Sequence, residues 1–313
     1  SYARHFAIGD GSGATAVDLV HDVLGSATGT VGGCVTVGGA PAPGARVAVG
    51  RASGGQIRGL TTHFNTGADG CFSGSIQPGE YGAAAWRRRT PFENGASQPP
   101  TRTITVAAGA ETVVDFALPA PARLEVTVRD AGGDPMPARI TLVGFDPSPE
   151  PSLTTATPIG TTSTWLFRDA GDDRLDFGVA DFEYAGADGR AVFDVKPGTY
   201  HVVVSRGAEY SIHGSRVTLA SGETRAVDAR LARVLDTRGY VSSDFHVHGI
   251  DSTDSRTGLE KRALQYAGEG IENVVMTEHN GRTDLNPTIR ALGLEQDLFA
   301  TIGEEITSWE YGH

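Results

Sequence analysis

The chain has 313 residues, room for two or three domains, and its 39% hydrophobic and 20% charged residues exclude wholesale disorder. With 26 basic residues against 38 acidic ones the net charge is −12, which argues against a nucleic-acid backbone or an anionic membrane surface as partner. No apolar run approaches the ~18–20 residues of a membrane span.

Glycine is the outlier in composition. Its 42 residues are near twice the usual share of ~7%, with no collagen period, and with 16 prolines they point to many turns between short strands. Only Lys196 and Lys261 are lysine, and the arginines are scattered, so arginine use reads as a coding bias. Ser1 opens no signal-peptide-like stretch, as expected of a processed, trimmed or incomplete N-terminus.

In chain order, residues 14–24 form an amphipathic helix, with Val17, Val20 and Leu24 at helical spacing and Gly25 able to cap it. Residues 1–26 read as the end of an upstream region, and His21 as packing. Cys34 and Cys71 each lie beside a turn signal, and two readings stay open: a disulfide in an oxidising compartment, or two buried thiols.

The strongest organisational signal is an internal repeat. Gly67-Ala68-Asp69-Gly70, then six strand-like residues, then Gln77-Pro78-Gly79-Glu80-Tyr81, returns as Gly186-Ala187-Asp188-Gly189, six residues, and Lys196-Pro197-Gly198-Thr199-Tyr200. Asp-Gly supplies a tight turn, Pro-Gly another, and Tyr opens the following strand. An earlier piece, Pro41 to Val49, is matched by Pro135 to Leu142, and closing strands run over 111–118 and 223–231. The reading is two antiparallel β-sandwiches, residues 27–120 and 121–233. These segments resemble the carboxypeptidase-regulatory-like, or transthyretin-like, sandwich family. The resemblance implies modules that act as spacers, supports or contact surfaces, open to self-association.

The second sandwich carries an insertion around 146–182, first rich in Pro, Ser and Thr and then acidic, with Asp169, Asp172, Asp173, Asp176 and Asp181. Its spacing matches no EF-hand loop, so it reads as solvated rather than as a calcium site. Trp86-Arg87-Arg88-Arg89 reads as a charged strand end rather than an anion site. His5, His63, His201 and His213 have no acidic partner at ligand spacing.

From about 238 strands alternate with helices. Tyr240 to His248 is strand-like, Thr257-x-x-Glu260 is a capping-box start for a helix to about Ala267, and Ile271 to Thr277 is an apolar strand. Asn286-Pro287 starts a helix that stops near Gly293, and Phe299 to Thr307 is a third strand. This β-α-β-α-β order opens a parallel sheet or barrel. His246 and His248, Asp254, Glu278-His279-Asn280, Gly303-Glu304-Glu305 and Gly312-His313 would gather at the carboxyl ends of its strands. Imidazoles and carboxylates converging there point to divalent metal.

Asp244-Phe245-His246-Val247-His248, Asp254-Ser255, Thr277-Glu278-His279-Asn280, Gly303-Glu304-Glu305-Ile306-Thr307 and Gly312-His313 resemble the PHP (polymerase and histidinol phosphatase) superfamily, its CehA/McbA-like branch in particular. Arg4-His5-Phe6-Ala7-Ile8-Gly9-Asp10-Gly11 is similar to the segment that precedes the sandwich in that branch. The resemblance implies a metallohydrolase with two or three divalent ions (Zn, Mn or Fe), ligated by His246, His248, Asp254, His279, Glu305 and His313. Glu305 would bridge two ions, and Asp251 is the alternative to Asp254. Glu305, His279 and Glu278 would form the catalytic group, with Asp244 and Glu278 orienting imidazoles. Glu278 stands where the family usually has Asp.

A small phosphoester, carbamate or ester substrate would be cleaved by a metal-activated water, in an extracytoplasmic protein without a nucleic-acid partner. Residues 234–313 are less than a third of the ~250 that a closed barrel takes, so the expectation is its N-terminal part only, inactive alone. The competing class is an extracellular structural or adhesive β-sandwich protein with an inactive PHP-like segment.

Overall fold

The computed structural model describes Arg4, Phe6 and residues 12–96, 99–144 and 179–308. His5, most of the 146–182 insertion and His313 lie outside the described residues. The protein is mostly β, built from antiparallel and mixed sheets and one small parallel sheet.

Helix α1 (Gly13–Leu24) ends at Gly25, whose φ of 58° is the left-handed cap that glycine takes without strain. Its one fully covered side chain is Ala14, which packs against the first sandwich. Gly13 N–H donates to His63 Nε2 (3.2 Å) and Ser75 N–H to Asp18 Oδ1 (2.7 Å), so the helix has a seat on this sandwich.

Nine strands follow: β1 (Gly29–Val37), β2 (Ala40–Pro41), β3 (Arg46–Ser53), β4 (Gln56–Asn65), β5 (Cys71–Ile76), β6 (Gly79–Trp86), β7 (Arg102–Val106), β8 (Glu111–Val113) and β9 (Phe116–Leu118). One sheet is centred on β1, with β2 and β5 antiparallel to it and β8 and β9 parallel. The other runs β4-β3-β6-β7, all antiparallel. Alternating residues such as Val31, Val35, Val47, Val49, Phe64 and Phe72 fill the space between them. Cys34 sits directly opposite Cys71 on the β1–β5 pair, and the two form a disulfide.

Seven more strands make the second sandwich: β10 (Ala122–Asp130), β11 (Ala138–Gly144), β12 (Val179–Ala185), β13 (Arg190–Val195), β14 (Gly198–Ser205), β15 (His213–Leu219) and β16 (Thr224–Leu231). Its sheets are β13-β10-β16 and β12-β11-β14-β15, closed over a core that includes Leu124, Ile140, Leu142, Tyr200 and Val202. The repeat in sequence is a repeat in structure. Gly70 (φ 77°) and Gly189 (φ 67°) occupy matching left-handed positions. Asp69 Oδ1 accepts from Cys71 N–H, and Asp188 Oδ1 from Arg190 N–H, both at 2.9 Å. Tyr81 Oη donates to Gln77 O (2.9 Å) and Tyr200 Oη to Lys196 O (2.7 Å), closing the same corner twice.

Arg89, at the charged strand end, ties the two sandwiches together through Asp181 (2.6 Å) and Glu183 (3.1 Å). Both acids sit on the carboxyl side of the insertion, so the positive charge has partners within the chain.

The remaining elements are β17 (Ser243–Val247), α2 (Leu259–Gly268), β18 (Asn273–Met276), α3 (Asn286–Ala291) and β19 (Phe299–Ile302). The three strands pair in parallel in the order β17-β18-β19, and α2 and α3 share a core with them around Val274, Met276, Leu285 and Ile289. Among the described residues this sheet is open: where the N-terminal part of an α/β barrel was expected there is a three-stranded parallel layer, and no barrel is shown. Three strands supply too little curvature and too few hydrogen-bonding partners to close on themselves. The expected capping box also fails: the residue before α2 is Gly258, and no side chain caps it. β17 and β18 are shorter than the expected runs at both ends, and β19 stops at Ile302, ahead of the segment that carries Glu305.

This layer is fastened to the second sandwich. Buried Arg206 pairs with Asp297 (2.7 Å) and donates to Pro137 O (3.0 Å). Glu269 accepts from Arg139 (3.0 Å) and Tyr184 Oη (3.1 Å). Gly268 lies where a Cβ would come within 2.5 Å of the Tyr184 ring, so only glycine lets α2 approach this closely. No helix among the described residues is long and apolar enough to cross a membrane.

Candidate metal centre

In a parallel sheet the loops after the strands share one end, which brings His246, His248, Asp254, His279 and Glu305 together. His246 lies on β17, and its side chain is largely exposed; His248 follows the strand and is largely covered. His279 and Glu305 face each other across a single parallel bridge beyond β18 and β19. Asn280 N–H donates to Glu305 O (2.9 Å), and Thr307 N–H to Asn280 Oδ1 (3.0 Å). Asn280 takes φ 50° to do so, a conformation asparagine tolerates better than most residues.

Two groups of donor atoms result. His246 Nε2 and His248 Nε2 lie 2.7 and 3.0 Å from Glu305 Oε2. His248 Nδ1 lies 3.4 Å from Asp254 Oδ1, and His279 Nε2 lies 3.2 Å from Asp254 Oδ2. Within each group the ligand atoms fall within 4.8 Å of one another. A tetrahedral ion with bonds of ~2.0–2.1 Å separates its ligand atoms by about 3.3 Å; the contacts to Glu305 and Asp254 run from 2.7 to 3.4 Å, the shortest lying about 0.6 Å below that spacing.

The hydrogen-bond network sharpens this. The Ser252 hydroxyl donates to Asp254 Oδ1 (2.8 Å), so toward His248 Nδ1 (2.9 Å) it acts as acceptor. That puts the proton of a neutral His248 on Nδ1 and aims the Nε2 lone pair at the Glu305 carboxylate. Lone pair and carboxylate at 3.0 Å need a proton or a cation between them. His248 also belongs to both groups, and because Ser252 occupies its Nδ1, the His246–His248–Glu305 group is the better formed one.

Both carboxylates favour the charged form. Asp254 is held below the usual carboxylate range, first by the Ser252 hydrogen bond, with the contact to His279 and the charges of His248 and His279 adding. Desolvation pushes Glu305 up, but its bond to His246 and the charges of His279, His246 and His248 outweigh that and leave it lowered.

Other expected residues land elsewhere. Glu278 is completely buried, and both its oxygens accept from Gly249 N–H (2.8 and 3.1 Å), so it holds the loop after His248 and does not reach an imidazole. In this position it supports the loop and is sealed from the cleft. Asp244 accepts from the His246 backbone N–H (3.1 Å) and from Tyr266 Oη (3.0 Å), again not from an imidazole. Asp251 accepts from Thr283 Oγ1 (2.7 Å), outside both donor groups. Glu304 pairs with Arg282. Sequence reading missed buried Ser252 and also Thr307, whose Oγ1 lies 2.5 Å from His279 Nδ1. Only their closeness to ligand positions could have marked them.

No family model matches the chain, and no curated protein matches it. Solved structures do. The shaft pilin SpaA from Lactobacillus rhamnosus GG aligns over 67% of this chain and 99% of its own, at 11% identity and a TM-score of 0.38. GBS52, the minor pilin of Streptococcus agalactiae, covers 68% of this chain and 99% of its own, at 11% identity and a TM-score of 0.29. The Bacillus anthracis TIE protein covers 74% of this chain at 13% identity and a TM-score of 0.26, and the chain spans 38% of its length. Likeness at this level carries no argument about what the chain does.

The assignment to the PHP superfamily is nevertheless corrected. Among the described residues the parallel sheet is an open three-stranded layer, not the barrel that family implies. The hydrolase, phosphoesterase and small-substrate expectations rested on that assignment and fall with it.

Proposed function

We propose that the chain is an extracytoplasmic structural β-sandwich protein that carries a divalent-metal centre on its C-terminal α/β layer. Of the two classes weighed from sequence, the β-sandwich architecture favours the structural one. The Cys34–Cys71 disulfide favours an oxidising compartment. The metal reading rests on one observation: His248, with Nδ1 committed to Ser252, directs Nε2 at the oxygen of Glu305 that His246 also faces.

His246, His248 and Glu305 would hold the ion, and Asp254 and His279 a second one beside it. Mixed imidazole and carboxylate donors suit Zn, Mn or Fe. When bound, such an ion supplies Lewis acidity at the exposed His246 side of the centre. The protein's own residues orient it: Ser252 fixes the His248 tautomer, Glu278 fixes the loop that carries His248, and Asn280 fixes His279 against Glu305.

Elemental analysis of the purified chain after equilibration with zinc tests this. The expected result is at least about one equivalent, lost in the His246→Ala/His248→Ala variant with its thermal midpoint otherwise retained. Less than one equivalent, or no difference between the two proteins, would refute the reading.

A further inference from the structure

Helix α1 sits on the first sandwich with a polar side down. Asp18 Oδ1 accepts from Ser75 N–H (2.7 Å), Gly13 N–H donates to His63 Nε2 (3.2 Å), and His21 Nδ1 is buried without a partner among the described residues. Most of the apolar stripe of this helix therefore faces away from the core. Val20, Val23 and Leu24 are 52%, 45% and 69% exposed, and Ala16 is exposed with them. Apolar side chains at i, i+4, i+7 and i+8 make the face that a helix buries against a partner, and here that face meets water. α1 is the one helix with exposed large apolar side chains among the described residues; the others lie on strands and loops.

We infer that this face is a self-association site, in which α1 packs antiparallel against α1 of a second copy about a twofold axis passing Val20. The metal reading plays no part in it. Two crossing helices touch through a central residue and its neighbours three and four positions away. Around Val20 these are Val17 and Val23, then Ala16 and Leu24, all apolar. A twofold axis at Val20 sets each residue against the one equally far on its other side. Val20 then meets Val20, Val17 meets Val23, and the smallest side chain, Ala16, meets the largest, Leu24. The small side has room. A groove of about 330 Å³ runs between α1 and the sandwich, lined by Ala16, Val17, Val20, His21, Thr61 and Gln77. Leu24 of one copy enters it beside Ala16 of the other, twice over, as an isologous interface requires.

Charge and area narrow the occupant further. A helix that lies on an anionic membrane carries basic residues beside its apolar face, whereas α1 has no Lys or Arg and carries Asp18 and Asp22. Covering Ala16, Val20, Val23 and Leu24 on both copies removes roughly 650 Å² from water, below the ~1,200 Å² of a stable complex, so the dimer is weak, with Kd on the order of 10 μM to 1 mM. Two copies of net charge −12 also repel each other, so salt should tighten the dimer.

Sedimentation equilibrium of the full chain from about 5 μM to about 1 mM tests this. The weight-average mass is expected to climb from 32.7 kDa toward twice that value with concentration. The climb should be steeper in about 0.5 M than in about 0.05 M salt. Val20→Glu and Val20→Lys, at an exposed position, should keep the thermal midpoint and each weaken association about tenfold or more. An equimolar mixture of the two should associate again at low salt, since a twofold at residue 20 sets the opposite charges face to face. If either variant fails to fold, Ala16→Glu, also exposed, carries the same expectation of a monomer. A chain that stays monomeric up to about 1 mM overturns the inference. So does a dimer that the variants leave intact, or a mixture that associates no more than its components. A monomeric chain that sediments with phosphatidylcholine vesicles would assign the stripe to lipid and overturn it equally.

Discussion

Replacing Cys34 and Cys71 together by alanine should cost the first sandwich about 4 kcal/mol. The disulfide joins residues 37 apart in sequence, and the chain entropy it removes from the unfolded state is worth about 3.9 kcal/mol at 25 °C for a loop of that length. Residual structure in the unfolded chain lowers the figure, and an enthalpic account would change its origin more than its size. The location raises its weight. β1 pairs with β2, β5, β8 and β9, so it is the strand on which that sheet depends, and the bond locks it to β5 at the Gly67–Gly70 turn. A small domain has only about 5–15 kcal/mol of stability in total. For a sandwich near 90 residues, a loss of this size lowers the midpoint by about 15 °C or more. Differential scanning calorimetry without reductant would read it, and the cysteine-free second sandwich serves as internal reference. A variant whose first transition stays within about 1 kcal/mol of the wild type would refute the reasoning, and with it the weight the disulfide lends to an oxidising compartment.

Glu278→Ala should weaken zinc binding about 10–100-fold in a competition titration, because the loop after His248 loses the carboxylate that receives Gly249 N–H; affinity within twofold of the wild type would show that the loop holds itself. Acid should destabilise the metal-free protein through Asp254 and Glu305. Both carboxylates are lowered in the folded state, so they stabilise it above the ordinary value of about 4, and this is lost as pH falls through their lowered values. Urea midpoints of the wild type and of Asp254→Asn/Glu305→Gln, measured from pH 6 to pH 2.5, should therefore converge toward the acid end; a constant gap would refute this.

The legible parts of this protein are those written in local chemistry. Asp69-Gly70 and Asp188-Gly189 need only a left-handed glycine and an aspartate that caps its own turn, and both can be read from four residues. The helix starting at Asn286-Pro287 is equally local. Long-range facts were not legible. Nothing in Glu111–Val113 or Phe116–Leu118 says that these strands run parallel to β1 rather than extend a hairpin. The seat of α1 depends on His63 and Ser75, some fifty residues away in sequence. At the metal centre the ligand types were visible because histidine and acid at strand ends are chemically conspicuous. Ser252 and Gly249 were not, since a hydroxyl and a backbone N–H look the same wherever they work. The same plainness misled the family assignment. Short His and Glu motifs can stand at the mouth of a parallel sheet of any size, and they do not state how many strands stand behind it.

That last point bears on how the centre can be rigid at all. Three short strands and two short helices bury few large side chains, and a core that size does not stabilise itself. Its missing support comes from the second sandwich. Ala187, in the repeat's own turn, packs against the core of the α/β layer, and Leu264 on α2 approaches Gly186 in that same turn. Arg206 and Glu269 add ionic ties on either side. The loop that repeats Gly67–Gly70 in the first sandwich has thus become, in the second, part of the platform beneath α2. Since α2 packs against the strand that leads to His248, a sandwich without chemistry of its own still fixes where the imidazoles stand.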